Sequence, residues 1–180
     1  MKSKIIVGYA GIGKTYLGNT FSDVIDIDSS DYHWIYHNPE IACDIERRKD
    51  CTDRELNSAW PSNYIETISQ LYYQEKYSYI LVVFKTELLP LLFEKGLPFT
   101  IVTPREELKE EYRQRYIDRN NSNAYISRML SEWDDDMKQI KNYSNVYYLE
   151  SCEHLTDFVA VDCALEIGQG CDKKKVYKID

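Results

Sequence analysis

A glycine-rich segment near the start of the chain has the residues needed to bind phosphate groups. Gly8, Gly11 and Gly13, followed by Lys14 and Thr15, fit the pattern GxxxxGK[ST] without exception. Glycine allows the sharp backbone turns that aim successive N–H groups at phosphate oxygens. A lysine at this spacing reaches the β- and γ-phosphates of a nucleoside triphosphate, and the next hydroxyl coordinates Mg²⁺. The segment therefore predicts a site for ATP and Mg²⁺.

The flanking sequence provides the context that this motif requires. The short apolar run Ile5–Val7 is typical of a buried parallel strand, and Lys14–Phe21 reads as a helix. The positive N-terminal end of that helix would add to phosphate binding. A glycine turn formed by chance is the alternative. The predicted cofactor-binding residues are Gly8, Gly11, Ile12, Gly13, Lys14, Thr15 and Tyr16.

Two carboxylates lie two residues apart at the end of a second predicted strand, Val24–Asp28, so they share one face. The carboxyl ends of parallel strands line the ligand crevice of such sheets. One carboxylate there could hold Mg²⁺ through water, and the other could accept the proton of an attacking hydroxyl. Asp26, with Thr15, is the predicted metal ligand. Asp28 is predicted to face the acceptor, with Asp31 as a third candidate; capping of the following turn is the alternative.

The strongest strand signal, Tyr79–Phe84, is followed by Lys85 and not by an aspartate. Many proteins with this phosphate-binding loop hold Mg²⁺ with an acid at that strand end. The second strand is then the expected supplier of the carboxylate. Lys85 could instead touch a phosphate or the substrate, or be an ordinary surface lysine.

A later helix carries arginines on its core-facing side. Apolar and aromatic residues repeat every four positions from Leu108, which places Arg119 in the same stripe and Arg115 at its edge. An arginine in such a stripe needs an anion, and a transferring phosphoryl group would supply one. Pairing with glutamates of the same helix is the alternative. The predicted catalytic residues are Lys14, Asp28, Arg115 and Arg119, with Arg113 and Arg128 as further candidates.

Residues 31–64 combine aromatic, arginine and amide side chains without a clear period. Aromatic rings stack on bases and arginines bind phosphates, so the segment is a predicted acceptor pocket, with plain helix packing as the alternative. The predicted acceptor-binding residues are Asp28, Asp31, Trp34, Arg47 and Tyr64.

Composition predicts one globular domain over residues 1–180, with 43 % hydrophobic and 29 % charged residues. The net charge of −8 disfavours, without excluding, a nucleic-acid-binding protein. No apolar run approaches the ~20 residues of a membrane span, and the first residues do not form a signal peptide. Five cysteines without a CxxC pair favour reduced thiols in the cytoplasm. We expect no membrane partner, and either a monomer or a homodimer.

Strands alternate with helices along the chain, which predicts an α/β domain with a five-stranded parallel sheet. Pro61 is expected to open one helix and Pro104 another. In the long helix that follows, Ile126, Met129, Leu130, Trp133, Met137 and Ile140 are expected in the core. The acidic run Asp134–Asp136 is expected at its solvated edge.

On these residues the chain resembles the small P-loop nucleoside and nucleotide kinases, including adenylate-kinase-like proteins common in bacteriophages. The resemblance rests on Gly8–Thr15, Val24–Asp31, Trp60–Glu66 and Phe99–Pro104 with the arginine-bearing helix that follows. It implies strand order 2-3-1-4-5, an acceptor-binding insert at about 31–64 and a helical lid over ATP at about 113–128.

The resemblance also implies roles for particular residues. Lys14 and Thr15 match the ATP and magnesium residues of the family, and Asp28 resembles its acceptor-contacting carboxylate. Arg115 and Arg119 look like lid arginines, although their spacing is looser than in adenylate kinases proper. That spacing, and the missing acid after Phe84, leave the acceptor open.

Three functions remain in view. The first is an ATP- and Mg²⁺-dependent kinase acting on a nucleoside or nucleotide. The second is a kinase for a polynucleotide end or for a modified base within DNA. The third is an ATP-binding regulatory module that transfers no phosphate. Small carbohydrate-like acceptors also remain open, because related folds phosphorylate them.

Overall fold

The computed structural model describes residues 2–48 and 51–170. Within these ranges the strands are β1 (Lys4–Gly8), β2 (Val24–Asp26), β3 (Trp34–Tyr36), β4 (Arg54–Leu56), β5 (Tyr79–Val83), β6 (Phe99–Pro104) and β7 (Val146–Leu149). The helices are α1 (Lys14–Thr20), α2 (Ser30–His33), α3 (Pro39–Ala42), α4 (Ile45–Arg48), α5 (Ser62–Gln74), α6 (Leu88–Glu94), α7 (Lys109–Asp118), α8 (Asn123–Ile140) and α9 (Leu155–Gly170).

Five of the strands form one parallel sheet in the order β2-β5-β1-β6-β7. Numbered among themselves in chain order, these strands follow 2-3-1-4-5. Gly8 at the end of β1 lies level with Val83 of β5 and Val102 of β6. The carboxyl ends therefore meet at one edge of the sheet, where the phosphate-binding motif begins. The predicted α/β class with a five-stranded parallel sheet is confirmed.

The central strands are buried on both faces. Ile5, Ile6 and Val7 of β1 are at most 2 % exposed, and Ile80–Val82 of β5 are fully buried. Consecutive residues of a strand point to opposite faces, so burial of all of them requires cover on both sides of the sheet. Strands β1 and β5 thus provide a rigid floor beneath the glycine-rich loop.

Helix α8 packs on the core through the stripe that the sequence predicts. Trp133 is its largest buried side chain, and its indole N–H donates to the Glu106 carbonyl at 3.0 Å. The Trp133 ring also meets Tyr9 edge-on, with 5.4 Å between ring centroids. The other buried residues of this stripe are Ile126, Met129, Met137 and Ile140, while Leu130 is half-buried against the core.

The segment between β2 and α5 contains the short helices α2, α3 and α4 and an antiparallel pair formed by β3 and β4. The sequence predicted loops and short helices there, but not the strand pair. Strands of three residues are too short to display an alternating pattern. The Asn57 amide donates to the His33 carbonyl at 2.9 Å, which ties the end of this pair back to α2.

Two expectations for the second half of the chain are wrong. Pro104 does not open a helix but ends β6 opposite Leu149, because the next amide, of Arg105, continues the ladder at 3.2 Å. A 3₁₀ turn, Glu106–Leu108, then precedes α7. Asp136 does not lie at a solvated edge, since it is half-buried and accepts a hydrogen bond from the Tyr9 hydroxyl at 3.0 Å.

Among the described residues, no helix is both long and apolar enough to cross a lipid bilayer. Cys43, Cys51, Cys152 and Cys163 carry free thiols. Cys171 and the tail 172–180 lie outside the described ranges.

Trp133→Ala is expected to lower the free energy of unfolding by about 3–5 kcal/mol, because it removes a fully buried ring from the contact between α8 and the loop. Urea denaturation followed by circular dichroism measures this. Phe93→Ala is the matched control, since Phe93 is 81 % exposed, and it should change the unfolding free energy by less than about 0.5 kcal/mol. Equal losses in the two variants would contradict the placement of α8.

Candidate active site

The phosphate-binding motif forms a loop between β1 and α1. Gly11 and Gly13 have positive φ angles of 85° and 102°, a conformation that glycine adopts without strain. The Tyr9 amide donates to the Val102 carbonyl at 3.0 Å, so the loop starts from a fixed point on β6. Helix α1 then begins at Lys14, which directs its N-terminal end toward the loop.

Two tyrosines of α7 pack directly on this loop. A Cβ atom at Gly11 would lie 2.9 Å from Cε1 of Tyr116 and 3.4 Å from Cδ1 of Tyr112. The Tyr116 hydroxyl also donates to the Ala10 carbonyl at 3.3 Å. Gly11 is therefore required both for its backbone conformation and for the close approach of α7.

The Lys14 ammonium lies inside the loop and donates to two backbone carbonyls. Its Nζ is 2.7 Å from the Gly8 oxygen and 2.8 Å from the Tyr9 oxygen. The pKa of Lys14 is lowered to about 8, mainly by burial and also by the nearby Arg119 charge, while Asp26 and Asp28 act in the opposite direction. A cation with partly satisfied hydrogen bonds in a concave loop is well suited to a phosphate oxygen.

Thr15 and Asp26 form the hard-oxygen pair that the sequence predicted as the metal site. The Thr15 hydroxyl donates to Asp26 Oδ2 at 3.0 Å. Helix α1 can approach β2 this closely because of Gly18, where a Cβ would lie 2.9 Å from the Asp26 Cβ. Burial raises the pKa of Asp26, and the Lys14 charge and the Thr15 hydrogen bond oppose that shift.

A hydroxyl and a carboxylate are oxygen ligands of the kind that Mg²⁺ prefers, and Mg²⁺ usually takes its remaining ligands from water and substrate phosphates. The described residues contain no group of three His, Cys, Asp or Glu side chains placed to hold a metal. The Thr15–Asp26 pair therefore fits a Mg²⁺ ion that arrives with a polyphosphate.

Asp28 lies beside this pair, and Asp31 lies farther along the chain in another contact. One oxygen of Asp28 accepts from the Ser30 amide at 2.9 Å, so the capping alternative holds for that atom. Asp28 is exposed, and its charge raises the pKa of Lys14, which places it close to the ammonium. Asp31 is instead paired with Arg48. Asp28 is thus the carboxylate that shares the edge of the sheet with Lys14 and Asp26.

The two predicted lid arginines have different surroundings. Arg115 is held by Glu111 at 2.7 Å and by the Glu153 carbonyl at 2.9 Å, and its guanidinium lies over the Tyr112 ring. The guanidinium of Arg119, just after α7, makes no hydrogen bond or ion pair with any described residue, yet its charge acts on Lys14 and Asp26. Arg119 is therefore the arginine available to an anion at the loop.

The two further arginine candidates also differ. Arg113 pairs with Glu110 on the exposed side of α7 at 3.2 Å. Arg128 of α8 is exposed and lowers the pKa of both His33 and Lys85. Its guanidinium lies over the Tyr125 ring, 5.5 Å from the ring centre.

An aromatic–lysine cluster, made of His33, Trp34, Trp60 and Lys85, lies at the end of β5. The His33 ring packs between Trp34 and Trp60, with 4.5 Å between centroids on each side. Lys85 Nζ lies 3.3 Å from His33 Nδ1 and 5.1 Å from the Trp60 ring centre. The pKa values of Lys85 and His33 are both lowered, and burial is the largest cause in each case. The sequence predicted the insert but not the contact between His33 and Lys85. These two residues are 52 positions apart, so no local sequence pattern indicates that they meet.

The other predicted acceptor-binding residues lie at different depths. Trp34 is half-buried under the Arg54 guanidinium, 4.2 Å from its ring centre. Arg47 is exposed and pairs with Glu40 at 3.8 Å. Tyr64 is fully buried, and its hydroxyl bridges the Ile27 carbonyl at 2.8 Å and the Val83 amide at 3.3 Å. Tyr64 thus supports the strand ends from below and does not line the cleft itself.

A cavity of about 310 Å³ opens beside the loop, lined by Gly13, Tyr16, His154 and Thr156. The Leu155 amide donates to the Ile12 carbonyl at 2.8 Å, which fixes the start of α9 against the loop. Tyr16 is a predicted cofactor-binding residue. His154 and Thr156 were missed, because only the fold brings residues from the far end of the chain to this loop.

No protein-family model and no curated protein matches this chain. Six chains of solved structures match it. One is the crystal structure of a gluconokinase from Sinorhizobium meliloti 1021, with 16 % identity and a TM-score of 0.50 over 95 % of this chain and 98 % of that one. At this identity the match establishes shared fold alone, and that fold is the P-loop kinase fold.

Polyphosphate binding to the loop should weaken as the pH rises through about 8, where Lys14 loses its proton. Between about pH 7 and about pH 9 the affinity for inorganic tripolyphosphate should fall about tenfold, with proton uptake on binding near pH 8. Calorimetry in two buffers of different ionisation enthalpy measures both quantities. Lys14→Met should bind weakly at every pH and take up no proton at this site. An affinity independent of pH in the wild type would contradict the assignment.

Proposed function

We propose that this protein is an ATP- and Mg²⁺-dependent phosphotransferase that moves the γ-phosphoryl group to a nucleoside or nucleotide. The observation that carries the proposal is the meeting of Lys14, the Thr15–Asp26 pair and Asp28 at one sheet edge, beside the aromatic–lysine cluster. The proposal therefore assigns the loop side of this edge to the phosphoryl donor and the aromatic–lysine cluster to the acceptor.

The donor half of the proposed site, formed by the loop and its neighbours, has residues suited to the phosphates, the Mg²⁺ ion and the base of Mg·ATP. Loop N–H groups and Lys14 would bind the β- and γ-phosphates, and Thr15 with Asp26 would hold Mg²⁺, which neutralises charge on the phosphates. The neighbouring cavity, with Tyr16 and His154 in its wall, has the size and position for the nucleobase.

Asp28 has the chemistry and location for the acceptor hydroxyl. A carboxylate next to Lys14 can accept the proton of the attacking hydroxyl and orient it toward the γ-phosphorus. The Arg119 guanidinium, which has no hydrogen-bond partner among the described residues, would bind the equatorial oxygens of the transferring group. A module that only senses ATP needs neither residue, so their presence favours transfer.

The aromatic–lysine cluster supports a nucleoside or nucleotide acceptor. The Trp60 ring is half-buried and offers a stacking surface for a planar base. Lys85, with Arg128 opposite, supplies positive charge for an anionic group of the acceptor. A polynucleotide end or a modified DNA base could use the same groups. Because the matched structure is that of a gluconokinase, gluconate is included among the acceptors to be tested.

The proposal is tested by ADP release from Mg·ATP with nucleosides, mononucleotides, oligonucleotide ends, DNA with modified bases and gluconate. We expect turnover that depends on a nucleoside or mononucleotide. Asp28→Asn should lower kcat at least about 100-fold, because it removes the base but keeps an oxygen that can accept from the Ser30 amide. Turnover with oligonucleotides alone would favour the polynucleotide reading, turnover with gluconate alone a sugar-acid kinase, and ATP binding without turnover the regulatory reading.

Lys85→Met should raise the KM for an anionic acceptor about tenfold and leave the KM for ATP unchanged, since a charged hydrogen bond is lost on the acceptor side only. Steady-state kinetics with each substrate varied in turn provide the measurement. Lys95→Met is the matched control, because Lys95 is exposed on α6's C-terminal side and pairs only weakly, at 4.0 Å, with Glu66. An equal effect on both KM values would argue against an acceptor role for Lys85.

A further inference from the structure

The carboxylate of Asp136 accepts a hydrogen bond from a residue of the phosphate-binding loop. Tyr9, the second residue of the motif, has its hydroxyl 3.0 Å from Asp136 Oδ2, and the two residues are 127 positions apart. Among the described residues, Asp136 is the one hydrogen-bond partner of that hydroxyl. The contact joins the middle of α8 to the loop.

Tyr9 also determines where the Lys14 ammonium lies. The Tyr9 carbonyl is one of the two oxygens that accept from Lys14 Nζ, at 2.8 Å, and the Tyr9 amide is fixed to Val102 at 3.0 Å. Its ring is buried between Trp133 and Phe84, at centroid distances of 5.4 and 5.7 Å. Because the ring, the hydroxyl and the amide of Tyr9 are all held by contacts, a shift of the hydroxyl is expected to displace the carbonyl as well.

Asp136 belongs to a polar stripe of α8 that faces the cleft. Arg128, Glu132 and Asp136 are spaced by four residues and therefore share one helix face. The charges of Arg128 and Glu132 both act on Lys85, and Glu87, the neighbour of Lys85, acts on Asp136. The same helix thus faces the aromatic–lysine cluster at one point and holds the loop at another.

The Tyr9–Asp136 pair requires a carboxylate to be partly removed from water, which is energetically unfavourable compared with apolar packing. Asp136 is half-buried among acidic neighbours, Glu132 and Asp135 on its own helix and Glu87 at the start of α6. A partly desolvated carboxylate next to like charges is unfavourable unless a donor compensates for it. Apolar side chains would fill this space at lower cost, so the pair is better explained by the geometry that it imposes.

We propose that Asp136 is a positioning residue that fixes Tyr9, and through the Tyr9 carbonyl the Lys14 ammonium, in the arrangement that receives the nucleotide phosphates. The inference rests on the proposed function, since it assigns Asp136 to the donor half of the same site. Asp136 itself does not touch the phosphates. Its contribution is to hold α8 and the loop in one geometry.

The test compares Tyr9→Phe and Asp136→Ala, which remove the hydrogen bond, with Asp136→Asn, which retains an oxygen acceptor. Asp135→Asn is the matched control, because Asp135 is exposed on the same helix and its carboxylate makes no hydrogen bond with a described residue. Calorimetry with Mg·ATP gives the affinity, steady-state kinetics give kcat and both KM values, and thermal denaturation gives Tm.

We expect Tyr9→Phe and Asp136→Ala each to weaken Mg·ATP binding about tenfold, the loss expected when a hydrogen bond to a charged group is removed. Asp136→Asn should recover most of that loss, and Asp135→Asn should bind as the wild type does. The double variant Tyr9→Phe/Asp136→Ala should be no weaker than either single variant, because both remove the same contact.

An unchanged ATP affinity with a lowered Tm in Tyr9→Phe and Asp136→Ala would overturn the proposal and leave a purely structural contact. An equal loss in Asp135→Asn would also overturn it, since net charge would then explain the effect. If Asp136→Ala does not fold, Tyr9→Phe against Asp136→Asn gives the same contrast. A wild type that binds Mg·ATP but phosphorylates no acceptor contradicts the proposed function alone, because the affinities still decide the role of Asp136.

Discussion

The structure depends on keeping a desolvated ammonium group in the phosphate-binding loop before any phosphate is bound. Removing Lys14 from water is unfavourable, and the Gly8 and Tyr9 carbonyls compensate by accepting its hydrogen bonds. Asp26 and Asp28 provide the opposing charge nearby. The loop must therefore be held firmly, since a displaced carbonyl would leave the cation without a partner. The surrounding elements are arranged around that requirement.

Tyrosines provide much of this support, which gives a physical use for some of the sixteen in the chain. A tyrosine ring fills volume as phenylalanine does, and its hydroxyl can still satisfy a buried polar group. The Tyr116 hydroxyl donates to the loop at Ala10, and the Tyr64 hydroxyl joins β2 to β5 below the acidic residues. At the amino ends of the strands, away from the site, the Tyr79 hydroxyl donates to Asp162 of α9 at 2.7 Å. Aromatic hydroxyls thus link separate elements to the strands that form the site.

The sequence predicted the loop, the sheet and the Thr15–Asp26 pair because each has a local signal. The motif has fixed spacing, β1 and β5 are unbroken apolar runs, and Asp26 directly ends a strand. The aromatic–lysine cluster and the cavity wall at His154 had no such signal, since they form only when distant segments pack together. The acidic run Asp134–Asp136 was predicted as one solvated edge, and the prediction did not single out Asp136. Consecutive residues of a helix point about 100° apart, and this rotation decides which carboxylate meets Tyr9. The helix stripe included Arg119 and had Arg115 at its edge, but it could not show that Arg115 donates to the carbonyl of Glu153, which belongs to the turn before α9.

The tyrosine contacts of α7 limit how the predicted lid can move. Tyr116 is bonded to Ala10 and lies against Gly11, and Arg115 is tied to Glu111 and Glu153. Any motion that preserves these contacts must pivot beyond Tyr116, in the turn where Asn120 has a positive φ of 54°. The moving segment is then the short turn between Tyr116 and α8, which includes Arg119. Closure over the nucleotide would be a short local rotation, unlike the swing of a whole domain, and would leave the floor of the site undisturbed.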